Sequence, residues 1–229
     1  RAAVVVGWVA AGLVLTVWLL ALGTVWTDRR ATLDQAEHDL QNQVRAYAEH
    51  VAKTMEGADQ ALRFVRNEYR RQGENLDIAG YLKSEDLIQS DFHQLGIIGA
   101  DGFLSHSTAG GKRVDLRDRE HFQVHAQASV DHLFISKPVL GKASGKWSIQ
   151  LTRRIKTADG GFGGVAVLSM PPSYFTGYFE KTSLGDHVVT ILTGQDGVVR
   201  AATQLEEHGL GASVSAAPLF ADILKRGSG

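Results

Sequence analysis

GIIGADGFLS, residues 96–105, is an apolar run broken by Asp101-Gly102 and then resumed, the pattern of two strands joined by a tight turn. ILTGQDGVVR, residues 191–200, repeats it around Asp196-Gly197, 95 positions further on. That distance suits one small α+β unit, and the matching flanks predict a duplication. Between the two hairpins the sequence predicts a short helix over 78–89 and a helix over 115–127 with Asp115 as its cap. Strands are predicted over 133–139, 146–155 and 162–170, with residues 141–145 as a hairpin turn. Pro171-Pro172 then opens a short segment reaching Phe179. A second unit begins near Gly185 and runs through its first hairpin and a Leu-rich helix at 217–225 to Gly229. An incomplete unit of this kind would leave apolar strand faces uncovered.

Upstream of the strands, residues 27–73 contain no Pro and one interior Gly, Gly57. Apolar or small residues recur at Leu33, Ala36, Leu40, Val44, Tyr47, Val51, Met55, Ala58, Leu62, Val65 and Tyr69. The mean step is about 3.6 residues, the period of an α-helix, with no sustained heptad seam. Residues 27–73 therefore read as a long straight helix packed on the domain, available also for dimer contact.

Further upstream, residues 2–26 carry no charge. At about 1.5 Å per residue such a helix extends roughly 37 Å, enough for a hydrocarbon core of about 30 Å with some tilt. Trp8 and Trp26, roughly 27 Å apart, suit the two interfaces. The segment reads as a transmembrane helix rather than a buried helix or a cleaved leader. Its direct continuity with the long helix would transmit a displacement without a flexible linker. Charge does not fix the topology, since Arg29 and Arg30 outweigh the lone Arg1. With Arg1 at its start and KRGSG at its end, the chain reads as a fragment.

The 24 Lys+Arg against 25 Asp+Glu give no field favouring nucleic acid, which is not expected as a partner. The absence of cysteine excludes disulfides and thiolate metal sites.

Two blocks could carry chemistry. In residues 117–125, Arg117, His121 and His125 share a helical face by i, i+4 spacing, and Arg119 and Phe122 adjoin it. The two histidines could bind zinc, but Phe122 stands where a metalloprotease helix carries its glutamate. Neutral structural histidines fit better, and no metal or cofactor is expected. Ser136 and Ser169 lack a nucleophile-elbow context, so no catalytic residue is expected. In residues 144–154, period two places Trp147, Ile149, Leu151 and Arg153 on one strand face. Arg153 closes an apolar stripe, and a buried guanidinium needs a carboxylate from the protein or from a ligand. Arg119 has the same two alternatives.

The motifs DREHF (118–122), LFISKPV (133–139), GKWSIQLTRR (145–154) and GGVAVLSM (163–170) with Tyr174-Phe175 resemble the double Cache sensor domains. These are extracytoplasmic parts of bacterial diguanylate cyclases, histidine kinases and chemoreceptors, and the likeness is strongest to the type preceding diguanylate cyclases. The resemblance implies an α+β fold. A transmembrane helix (2–26) would continue into the spine helix (27–73), which packs on a PAS-like antiparallel sheet in the membrane-distal lobe (74–180). The start of a second, membrane-proximal lobe (181–229) would follow. In amino-acid-binding members an Arg-x-Trp-Tyr element holds the ligand carboxylate and a later Asp holds the amine. Arg119 matches the Arg, His121 and Phe122 replace Trp and Tyr, and Ser169 stands at the Asp position. Amino acids are therefore not expected to bind. A small carboxylate on Arg119 and Arg153 is expected instead, with His121, Phe122, Ser136, Trp147 and Ser169 completing the candidate ligand-binding set. The implied molecule is a non-catalytic sensing module of an inner-membrane signalling protein. Its soluble part would be periplasmic or extracellular, with the lipid bilayer, a small-molecule ligand and a second copy along the long helix as partners. The competing readings are a membrane-tethered metal-dependent hydrolase using His121 and His125, and a ligand-free dimerisation domain.

Overall fold

The computed structural model describes residues 1–80, 92–110, 113–180, 189–203 and 209–226, and within these the side chains of 3–6, 9–11, 178–180, 219, 223, 224 and 226 are not described. The chain divides into two compact units, Arg1–Ala52 and Lys53–Gly229.

The first unit is helical from Ala2 and belongs to α1 (Ala2–Gln72). From Leu13 to Trp26 its described large apolar side chains are exposed, among them Leu15, Trp18 and Leu22, whereas Tyr47 is buried. The Arg30 guanidinium lies 3.8 Å from the centre of the Trp26 ring. The long helix is as expected, and among the described residues no helix is long and apolar enough to cross a membrane.

The second unit opens with the rest of α1 and a 3-10 turn, Gly73–Asn75. Its main sheet contains β1 (Gln94–Gly99), β2 (Leu104–Ser107), β3 (Phe134–Ile135), β4 (Val139–Leu140), β5 (Trp147–Lys156) and β6 (Phe162–Met170). The order is β2-β1-β6-β5-β3, with β4 also on β5 and every pairing antiparallel. Helix α2 (Glu120–Gln127) lies between β2 and β3, and α3 (Pro172–Glu180) follows β6. A separate two-stranded sheet, β7 (Ile191–Thr193) with β8 (Val199–Ala202), and α4 (Pro218–Arg226) complete the described elements.

Cross-strand register fixes which residues share a face, because directly paired residues point the same way. Leu95, Leu168 and Leu151 form one row across β1, β6 and β5, and Ile97, Ala166 and Arg153 form the next. Arg153 on this face meets Asp59 of α1, so it is the α1 face. Ala58, Leu62 and Val65, spaced at helical intervals, are buried on α1. On the opposite face Ile98, Val165 and Val167 pack with Leu104, Leu116 and Phe122 under α2.

Two local expectations change. The helix expected over 115–127 starts at Glu120, because Arg119 is extended (φ −82°, ψ 133°). Asp115 caps nothing in it: its carboxylate accepts from the Arg117 backbone and guanidinium N–H groups, and its backbone bridges Phe103. The strand expected over 133–139 is two short strands, β3 and β4. The helix expected over 78–89 lies mostly outside the described residues.

The hairpin recurs bond by bond. Pairs Gly96–Ser107, Ile97–His106 and Ile98–Leu104 recur 95 positions later as Ile191–Ala202, Leu192–Ala201 and Thr193–Val199, each with a bulge before the last pair. Gly102 N–H donates to the Gly99 carbonyl and Gly197 N–H to the Gly194 carbonyl, both at 2.9 Å. The Asp101 and Asp196 carboxylates accept from the Phe103 and Val198 amides. Gly102 (φ 80°) and Gly197 (φ 70°) occupy the left-handed region, which a side chain would strain.

Arg153 holds this architecture together. Its Nε and Nη2 both reach the Asp59 carboxylate, the latter at 2.9 Å, and Nη1 reaches Asp131 at 3.1 Å. Asp131 also accepts from Arg66, seven residues beyond Asp59 on α1. Burial raises the Asp59 and Asp131 carboxyls, but the facing guanidiniums outweigh it and hold both below the ordinary aspartate value. The Arg153 side chain is 9% exposed, so removing a partner strands a desolvated charge. Asp59→Ala is therefore expected to cost about 3 kcal/mol in urea unfolding. Adding Arg153→Met should recover part of that loss, and strictly additive losses would contradict the pairing.

Candidate functional site

On the α2 face, the row beside the apolar cluster is polar. Gln94 of β1 pairs in register with Ser169 of β6, and Ser169 with Gln150 of β5. Ser148 lies two residues along β5 on the same face. All four are buried, in a row where a sheet packed under a helix would ordinarily carry aliphatic side chains. Buried polar groups need partners, and these supply one another. Ser169 Oγ donates to Gln150 Oε1 at 2.7 Å, and Gln150 Nε2 donates to Ser148 Oγ at 2.8 Å. Gln94 Nε2 donates to Ser107 Oγ at 2.9 Å.

This row floors a small open pocket, a cavity of about 30 Å³, with Arg119, His121 and the β4–β5 turn around it. The turn forms as the glycines predict, Gly141 N–H donating to the Lys146 carbonyl at 3.0 Å. Two cations lie at the rim. Lys142 Nζ is taken up by the Asp118 carboxylate at 2.6 Å and the Asp115 carbonyl at 3.1 Å. Arg119 donates only to a neutral group, the Leu140 carbonyl, at 3.0 Å. Among the described residues no aspartate or glutamate lines the pocket.

His121 is buried in the same pocket. Burial first, then the Arg119 charge and His125, lower it to about 4, so it is uncharged at neutral pH. One turn on, His125 is fully buried. Its Nε2 bonds Thr152 Oγ1 at 2.9 Å, and its Nδ1 has no partner among the described residues. Burial and the neighbouring His132 lower it too to about 4, against smaller opposing effects of Thr152 and Asp131. The Arg154 guanidinium donates to the His125 carbonyl and lies over Phe162. Among the described residues no group of three His, Cys, Asp or Glu is placed to hold a metal.

Of the sequence-derived candidates, Arg119, His121 and Ser169 come together at the pocket. The other four do not. Arg153 points to the α1 face and is saturated by Asp59 and Asp131. Phe122 belongs to the core and meets Phe162 edge to face. Ser136 serves the sheet, accepting from the Gln150 backbone N–H. Trp147 starts β5 opposite Leu140. Gln94, Lys142, Ser148 and Gln150 were missed. Their signal was the other half of the β5 alternation: Ser148, Gln150, Thr152 and Arg154 are all polar, and all are buried.

No family model matches the chain, and no curated protein matches it. Solved structures do. The extracellular domain of a protein described as a histidine kinase, rpHK1S-Z16, superposes with a TM-score of 0.73 at 25% identity, over 85% of this chain and 80% of that one. The ligand-binding domain of the Pseudomonas fluorescens chemoreceptor CtaA, in complex with L-serine, gives 0.58 at 17% identity, over 79% of each chain. The ligand-binding domain of the Pseudomonas aeruginosa amino acid chemoreceptor PctC, in complex with GABA, gives 0.54 at 16% identity, over 71% and 74%. The fold is that of extracellular sensor domains. The solved structures it matches are described as extracellular or ligand-binding domains of a histidine kinase and of chemoreceptors, not as catalytic domains.

The buried histidines make stability depend on pH with a definite sign. Each is held neutral in the folded state and protonates near 6.5 once unfolded. Their stabilisation is complete above pH 6.5 and is lost as pH falls toward 4, by up to about 1.4 kcal/mol per pH unit for each. The Asp59 and Asp131 contribution is lost only below the ordinary aspartate range, so the windows separate. Denaturant unfolding between pH 7.5 and 4.5 should show this decline, and His121→Gln/His125→Gln should flatten it. An equally steep decline in the double variant would contradict the assignment.

Proposed function

We propose that the chain is the extracytoplasmic sensing module of a membrane-bound signalling protein and that its pocket binds a small carboxylate through Arg119. One observation carries the ligand class. Among the described residues Arg119 is the pocket cation with no carboxylate hydrogen-bonded to it, Asp118 acting on it only through space, and no acidic side chain among them lines the pocket. A guanidinium in that state suits a carboxylate, which it can bind in bidentate fashion. An α-ammonium group would enter without a counter-charge, a desolvation cost that disfavours amino acids despite the ligands of CtaA and PctC.

The membrane attachment rests on residues 2–26, uncharged and exposed along their described side chains. A helix apolar all round needs cover, and a bilayer supplies it. Trp26 with Arg30 stacked on it suits the interface. On this reading 27–73 is the spine, 74–180 the membrane-distal Cache lobe and 181–229 the start of the membrane-proximal lobe. The repeated hairpin supports that division. Leu33, Leu40 and Val44, exposed on α1, support a homodimer along the helix. The output is a diguanylate cyclase, for which the DREHF and GKWSIQLTRR motifs speak, or else a histidine kinase or chemoreceptor. Ligand would shift the lobe between two conformations by its differential affinity for them.

The test is a thermal-shift screen with small carboxylates and amino acids. A carboxylate at about 100 times its dissociation constant should stabilise by about 2.7 kcal/mol, and Arg119→Ala should abolish the shift. Amino acids binding while carboxylates do not would contradict the ligand class.

A further inference from the structure

The pocket can be read for its number of charges and for the polarity of its floor. Of the groups around it, Lys142 is engaged by Asp118, and His121 is uncharged at neutral pH. That leaves Arg119 to meet one anionic group. Among the described residues the floor offers no second cation for a dicarboxylate and no carboxylate for an amine.

The floor is not apolar either. Ser148 Oγ accepts from Gln150, leaving its own hydroxyl hydrogen available. Gln150 Nε2 has a second hydrogen, and Ser169 Oγ, having donated to Gln150, can still accept. An aliphatic tail lying on this row would cover buried polar atoms without offering them a partner, which is unfavourable. A single hydroxyl or oxo oxygen on the ligand would meet them.

We infer that the pocket selects a short monocarboxylic acid bearing a hydroxyl or oxo group, its carboxylate on Arg119 and its neutral oxygen on the Ser148–Gln150–Ser169 row. This rests on the carboxylate reading above and adds a requirement that reading does not contain. The discriminating residues are Gln150 and Ser169, whose relative orientation is set by the in-register pairing of β5 with β6. A site built to hydrogen-bond a ligand oxygen rejects the analogue lacking it, because its own buried groups are then left unpaired.

Calorimetric titration of the full chain with five matched three-carbon probes tests this: lactate, pyruvate, propionate, malonate and alanine. Lactate or pyruvate should bind at least about tenfold more tightly than propionate, malonate or alanine. Gln150→Leu and, separately, Ser169→Ala should each shrink the preference over propionate, by weakening lactate and by relieving the cost of covering unpartnered polar atoms with the propionate tail. Ser169→Ala removes one oxygen only and keeps the test valid if Gln150→Leu does not fold. Propionate or malonate binding as tightly as lactate would overturn the hydroxy-acid inference and leave the carboxylate reading standing. A lactate preference unchanged in the folded variants would do the same. Failure of all five probes to bind, or binding indifferent to Arg119→Ala, would overturn both.

Discussion

The ion pair between Arg153 on β5 and Asp59 on α1, shared with Asp131 and Arg66, is the constraint on which the second unit depends. Presenting Arg153 to α1 gives this buried guanidinium two carboxylates, whereas Arg154 beside it, as deeply buried, is held by the His125 carbonyl and the Phe162 ring. The alternation of a strand then leaves no freedom: Ser148, Gln150, Thr152 and Arg154 face the other way. A one-residue slip of β5 would put Arg153 under α2, away from its carboxylates, and Gln150 against the aliphatic face of α1. One interaction thus sets the register of the central strand and the side of the sheet on which the pocket lies.

The two faces of β5 divide the labour. On the α1 side, Arg153 is paired with the Asp59 and Asp131 carboxylates, and Ile149, Leu151 and Leu168 are buried on the same face. On the α2 side, neutral polar side chains are bonded to one another, and the cation above them, Arg119, meets only a carbonyl. Paired buried charge contributes register and rigidity. A rim cation without a carboxylate retains attraction for an anion. Two arginines in one domain therefore have opposite meanings, and what distinguishes them is whether the protein itself supplies the carboxylate.

Much of the architecture was legible in the residues. The 3.6-residue period from Leu33 to Tyr69 marked α1, and the two Asp-Gly turns marked hairpins whose hydrogen bonds coincide at an offset of 95 residues. Helix α2 was legible in type but not at its start, because Asp115 reads as a cap while its carboxylate bonds Arg117. The site was half legible. Arg119, His121 and Ser169 were found from motif positions. Arg153 stood equally for an ion pair or a ligand contact, since strand periodicity shows which residues share a face but not what faces them. Asp59 and Asp131 lie 94 and 22 positions from Arg153, and only the fold brings them to it. Gln150 and Ser148 stand on the polar half of the β5 alternation, which reads from sequence as a solvated face, and only the fold buries it under α2.

The most direct test of the two-arginine account is to follow the side-chain Nε–H resonances of Arg119 and Arg153 by NMR while lactate is added. The account predicts that the Arg119 signal shifts and saturates, while the Arg153 signal, already locked to Asp59 and slow to exchange with solvent, stays where it is. Movement of Arg153 with Arg119 unchanged would place the anion on the wrong face of β5 and contradict the assignment of the pocket.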